Sequence, residues 1–147
     1  MSPLPSRRHA PVAVAVAGAL ALLPATPARA DDGIRAQQWA LDAMGTSQAW
    51  RTTKGEGVTV AVLDTGVDAS HPDLKGSVLP GKDMVGFGAR RGDRTWARHG
   101  TAMAGIVAGH GHGEGRGDGV LGIAPGARIL PVRVILEPSP AAVDAGT

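Results

Sequence analysis

Apolar residues along the chain change their spacing several times, and each change marks a predicted element. Val12 to Leu23 is an uncharged run. Residues 34–50 carry Ile34, Trp39, Leu41, Met44 and Trp50 at a loose helical spacing, which predicts a helix packed on a core. After Gly55 and Gly57, Val58-Thr59-Val60-Ala61-Val62-Leu63 is continuously apolar and β-branched, the pattern of a strand buried on both faces of a parallel sheet. Val78 to Phe87 holds two short apolar stretches split by Pro80-Gly81, consistent with a weak strand or an extended connection. From His99 onward, Ala102, Met103, Ala104, Ile106, Val107 and Ala108 predict a helix whose small residues allow close packing on a sheet. The glycine-rich stretch Gly109 to Gly119 reads as a surface loop. Ile129 to Ile135 reads as a second buried strand, with Pro131 pointing to an edge or strand-start position. Strand, helix, strand in this order predicts an α/β layer with right-handed crossovers.

The uncharged run changes the picture of the N-terminus. Arg7 and Arg8 precede it and Ala28-Arg29-Ala30 follows it, so residues 1–30 read as a secretory signal peptide cleaved before Asp31. Its twelve residues make a helix of about 18 Å, too short for a hydrocarbon core of about 30 Å. No transmembrane segment is therefore expected in the mature chain, which reads as exported, extracellular or associated with the cell envelope. Residues 31–57 then form an N-terminal helical extension and 58–147 a partial α/β domain. Cleavage removes three arginines and no acidic residue, leaving twelve basic against thirteen acidic side chains. The basic pI near 9.7 thus comes largely from the leader, and without a basic stripe or stacking platform a nucleic-acid partner is excluded. The 147 residues contain no Cys, which rules out disulfides and thiolate metal sites.

The candidate chemistry sits at the end of the first strand. In open α/β sheets functional groups gather beyond the carboxyl ends of the strands, and Asp64 follows the buried run directly. An Asp in Asp-Thr-Gly can also serve only to cap a turn. His99 opens the helical pattern, where the helix dipole opposes protonation of an imidazole. With Asp64 bonded to one ring nitrogen, the other is free to take a proton from a hydroxyl nucleophile.

Four blocks carry a family resemblance. Val60-Ala61-Val62-Leu63-Asp64-Thr65-Gly66-Val67-Asp68, His71-Pro72-Asp73-Leu74, His99-Gly100-Thr101-Ala102-Met103-Ala104-Gly105 and Gly119-Val120-Leu121-Gly122-Ile123-Ala124-Pro125 resemble successive blocks of the subtilisin-like (S8) serine proteases. The leader, Gln38 to Met44, Thr53 to Val62 and Arg128 to Leu136 narrow the resemblance to mycosins, the subtilases associated with actinobacterial type VII secretion. The resemblance implies a subtilisin-like parallel β-sheet with flanking helices, of which this chain holds the N-terminal portion. It also implies a serine endopeptidase acting on protein or peptide substrates, with Asp64 and His99 as acid and base of its triad and a type VII secretion system as a possible partner.

The nucleophile implied by that resemblance is missing. Its serine lies in a Gly-Thr-Ser-Met-Ala block far downstream of the histidine, and an asparagine helps to stabilise the oxyanion. This sequence contains no Asn, and its only Ser after His99 is Ser139, between two prolines. Gly45-Thr46-Ser47-Gln48-Ala49 imitates the block but precedes Asp64 and falls where mycosins have a helix. The expected product is an inactive part of a peptidase; the alternative is a truncated, non-catalytic gene product with at most a binding role. A metal-dependent hydrolase built on Asp64, Asp68 and His99 is a third reading, without a phosphate loop to support it.

No cofactor is expected, with one qualification. Asp73 stands where many of these proteases place a calcium ligand, although six to eight oxygens are needed. His110, His112, Glu114 and Asp118 have the composition of a zinc site but no fixed backbone to hold tetrahedral geometry, which favours a solvated loop. His71 belongs to a turn with Pro72, and Trp96 and Arg98 fall where a loop would border a substrate cleft, or stack on each other.

Overall fold

A computed structural model describes residues 33–137. The leader at 1–30 and Ser139 lie outside the described residues.

The N-terminal segment is broken where one helix was expected. A 3-10 turn at Arg35–Gln37 is followed by α1 (Trp39–Ala43) and α2 (Thr46–Ala49). Gly45 between them has φ +67, a left-handed conformation that ends one helix and starts the next at little cost for glycine. The segment buries its apolar side chains poorly: Trp39 is 74% exposed, Leu41 and Trp50 are half-buried, and of the two helices only Thr46 is buried. It is held instead by polar contacts, among them Trp50 Nε1 donating to the Ile123 carbonyl at 2.9 Å.

Three parallel strands follow in the order β1 (Thr59–Asp64), β5 (Arg128–Arg133), β2 (Lys82–Asp83). Helix α3 (Arg98–Ala108) packs on one face, burying Gly100, Ala104, Gly105 and Ala108. With Val62, Val67, Leu74, Ala127 and Ile129, the two alanines form the core. The small residues let the helix lie close to the sheet, as their sequence pattern predicts.

Two strand expectations are corrected. β1 is buried on one face only, with Val62 and Asp64 inside and Leu63 62% exposed, because the described elements cover a single side of the sheet. Pro131 lies inside the central strand, opposite Val62. Alternate residues of β5 face opposite neighbours: Arg128 and Val134 donate toward β1, whereas Ile129 bonds to Ser77 and Leu79 on the other side. Pro131 shares the side of Ile129, where the neighbouring chain passes between the Val78–Ile129 bridge and β2. Its missing N–H therefore falls in a gap of the ladder, which makes proline tolerable there.

The expected loop at 109–119 is a hairpin. β3 (His110–His112) pairs antiparallel with β4 (Asp118–Leu121), joined through a 3-10 turn at Glu114–Arg116. Among the described residues no helix is long and apolar enough to cross a membrane.

Candidate active site

Asp64 is the last residue of β1, and His99 lies in the first turn of α3. The fold brings their side chains together. His99 Nδ1 lies 2.9 Å from each carboxylate oxygen of Asp64. The Thr65 N–H donates to Asp64 Oδ1 at 2.6 Å, and the Gly100 N–H donates to Thr65 Oγ1 at 3.0 Å. The Asp-Thr-Gly turn thus fixes the carboxylate and anchors the helix that presents the imidazole. Gly100 is required by that approach: a Cβ there would collide with the Gly66 carbonyl oxygen and lie 3.2 Å from the Asp64 Cβ.

The electrostatics follow from the pairing. Burial pushes the Asp64 carboxyl up, but the Thr65 N–H and the His99 ring together outweigh it and hold its pKa below the usual value. The His99 pKa is raised, first by its hydrogen bond to Asp64 and then by the charge of that carboxylate. This corrects the expectation that the helix dipole governs His99, because a carboxylate in contact outweighs partial charges spread over a helix end. The His99 side chain is 58% exposed, and among the described residues its ring bonds to Asp64 alone. With Nδ1–H donating to the carboxylate, the lone pair is left on Nε2 of this largely exposed ring. That ring can accept a proton from a group delivered on the solvent side.

Sequence reasoning missed Glu137. Both of its carboxylate oxygens accept from the His99 backbone N–H, each at 3.2 Å, so it caps the helix that carries the imidazole. Its only sequence signal was an acidic residue shortly after a predicted strand, which says nothing about which helix end it meets. Its charge also contributes to raising the His99 pKa. Glu137→Gln is expected to lower the His99 titration midpoint, by less than loss of Asp64 does; imidazole proton resonances followed against pH measure both.

A second network lies beside the site. The Arg133 guanidinium, 5% exposed, pairs with Asp83 at 2.8 Å, donates to the Phe87 carbonyl at 2.9 Å and stacks 4.8 Å above the Trp96 ring. The stacking partner of Trp96 is thus Arg133 and not Arg98, because β5 ends under the indole while Arg98 starts α3 and is exposed. Trp96 and Arg98 both line an open cleft of about 1380 Å³ that also includes Asp68 and Thr101.

The other sequence candidates have different roles. Asp68 accepts from the Ser70 N–H and hydroxyl, closing a turn, and does not join Asp64 and His99. His71 Nδ1 accepts from the Asp73 N–H at 3.3 Å and caps the 3-10 turn Pro72–Leu74. His110 faces the Gly111 and Lys75 carbonyls with its two ring nitrogens. Ser47 lies within α2.

The residues around Asp73 do not fit a calcium ion. One carboxylate oxygen meets His112 Nδ1 at 2.6 Å and the other accepts the Val120 N–H at 2.9 Å. Among the described residues no group of three or more His, Asp or Glu could hold a metal. Burial raises the Asp73 pKa, but those two hydrogen bonds and the His112 charge win, leaving it below the usual value. Asp73 is a tie between the 3-10 turn and the β3–β4 hairpin.

A parallel α/β layer thus sets a carboxylate at a strand end against a histidine at a helix start, a pair able to hold and pass a proton. Residues 55–145 match the subtilase family, peptidase S8, and the chain belongs to that family. Fervidolysin of Fervidobacterium pennivorans is 38% identical over 105 residues, covering 69% of this chain and 14% of that protein. Mycosin-1 of Mycobacterium tuberculosis is 41% identical over 105 residues, covering 71% of this chain and 22% of mycosin-1. The crystal structure of MycP1 from Mycobacterium smegmatis superposes with a TM-score of 0.50 at 38% identity, covering 65% of this chain and 23% of that one. The fold is the subtilisin-like α/β layer that the sequence motifs imply. The chain spans less than a quarter of the length of these three relatives.

Proposed function

We propose that this chain is the Asp–His part of an exported, mycosin-like serine endopeptidase, and that it hydrolyses nothing by itself. The observation that carries the reading is the 2.9 Å pairing of His99 Nδ1 with Asp64. In this reading Asp64 fixes the imidazole tautomer, and His99 Nε2 takes the proton of a serine hydroxyl as it attacks the scissile carbonyl. The same nitrogen then returns the proton to the leaving amine. The sequence has no Asn and no Gly-Thr-Ser-Met-Ala block, so in this reading the nucleophile and the oxyanion donor lie outside these 147 residues. The similarity to MycP1, described as from the ESX-1 type VII secretion system, favours a secretion-associated protein substrate and a place at the cell envelope. Residues 1–30 supply the export signal in this reading.

Two experiments test it together. A serine-directed fluorophosphonate probe is expected to leave the 147-residue chain unlabelled; labelling would reveal a nucleophile outside this account. A chimera in which residues 33–137 replace the matching segment of mycosin-1 is expected to cleave peptides and to lose that activity on His99→Ala. A folded chimera with no cleavage at all sinks the proposal.

A further inference from the structure

We propose that Arg35 is the internal cation of the β3–β4 hairpin, its guanidinium filling the carbonyl-lined place that a divalent metal would otherwise take. Three backbone carbonyls of one short segment converge on it: Nε donates to Gly119 O at 3.3 Å, and Nη2 donates to Arg116 O and Asp118 O, each at 3.1 Å. Carbonyl oxygens that point at one spot repel one another unless a cation or donor sits there, and a set of hard oxygens is what calcium binds. Here the occupant is covalently part of the chain, brought from more than 80 positions away in sequence.

The surroundings are shaped for it. A Cβ on Gly111, whose φ is +70, would lie 2.6 Å from Arg35 Nη2, so glycine opens the space that the guanidinium uses. Gln38, three residues on, clamps the same hairpin through Leu121: its Nε2 donates to the carbonyl at 2.7 Å and its Oε1 accepts the N–H at 2.9 Å. The peptide joining Gly119 to Val120 is gripped at both ends by opposite charges. Its carbonyl accepts from Arg35 and its N–H donates to Asp73. Asp73, whose position suggested a metal ligand in the sequence, is thereby used against a backbone donor and His112, while the positive charge enters from the N-terminal segment. The hairpin is closed by side chains, and its order does not depend on calcium.

Hydrogen exchange of the full chain tests this directly. Amides of residues 109–121 are expected to exchange at the same rate in millimolar calcium and in excess chelator. In Arg35→Gln they are expected to exchange about tenfold faster, from loss of charge-assisted hydrogen bonds, while amides of β1 and β5 keep their rates. Arg35→Lys, which keeps the charge but not the fork, is expected to fall between. The inference is overturned if calcium slows exchange of the unsubstituted hairpin severalfold, or if Arg35→Gln exchanges like the unsubstituted chain. The calcium comparison needs no substitution, so it decides the matter even if a variant unfolds.

Discussion

Asp64→Asn is expected to cut peptide cleavage by the mycosin-1 chimera about 10⁴-fold, the order of loss that this exchange produces in Asp–His–Ser hydrolases. The geometry gives the reason. Asp64 accepts from His99 Nδ1 and from the Thr65 N–H, so its oxygens demand donors. An asparagine in the same place can turn its NH₂ toward the ring, which puts the ring proton on Nε2 and removes the base. The pH dependence carries the sign of the pairing. Because Asp64 raises the His99 pKa, the neutral base forms only at higher pH, and the rate should climb as pH passes that raised value. In Asp64→Asn the His99 midpoint should move down, read by imidazole resonances in the chain itself. A midpoint that stays put would show that the carboxylate does not govern this imidazole, and the proposed role of the pair would fail.

Gly100→Ala is expected to be damaging, though less so, without touching an ionisable group. The added methyl would run into the Gly66 backbone oxygen and press on the Asp64 Cβ. Neither neighbour is the flexible end of a side chain, so α3 must move. Overpacking of this kind costs about 1–3 kcal/mol and sometimes more, and misplacing a reacting group by about 1 Å can cost about 10²-fold in rate. The variant should therefore melt several degrees lower and show a weakened His99–Asp64 pairing. An unchanged melt together with an unchanged His99 titration would mean that α3 does not need this close approach.

Asp64 and His99, the pair that both predictions probe, stood out in the sequence, and their legibility has a local cause. Asp64 ends a continuous β-branched run and His99 opens a run of small residues; each signal comes from neighbouring positions, and α/β topology then places a strand end near the next helix start. Where expectation failed, the deciding contact was remote. Gly109 to Gly119 has the composition of a loop, yet it pairs as a hairpin because Asp73, Gln38 and Arg35 supply partners from far along the chain. Residues 34–50 have helical spacing, yet Trp39 is exposed, since spacing alone does not say what a face packs against. The stacking of Trp96 on Arg133 and the capping of α3 by Glu137 have no trace in local pattern.

By itself the sequence determined the strands β1 and β5, the small-residue helix α3, and the carboxylate and imidazole at their ends, because hydrophobic periodicity and turn chemistry are local properties of a chain. Tertiary structure alone decided which face of β1 is covered, how Pro131 fits a central strand, which charges grip the hairpin and what caps the His99 helix. Those outcomes depend on partners separated by tens of residues, whose meeting is fixed by the packing of the sheet and helix and not by the order in which the residues occur.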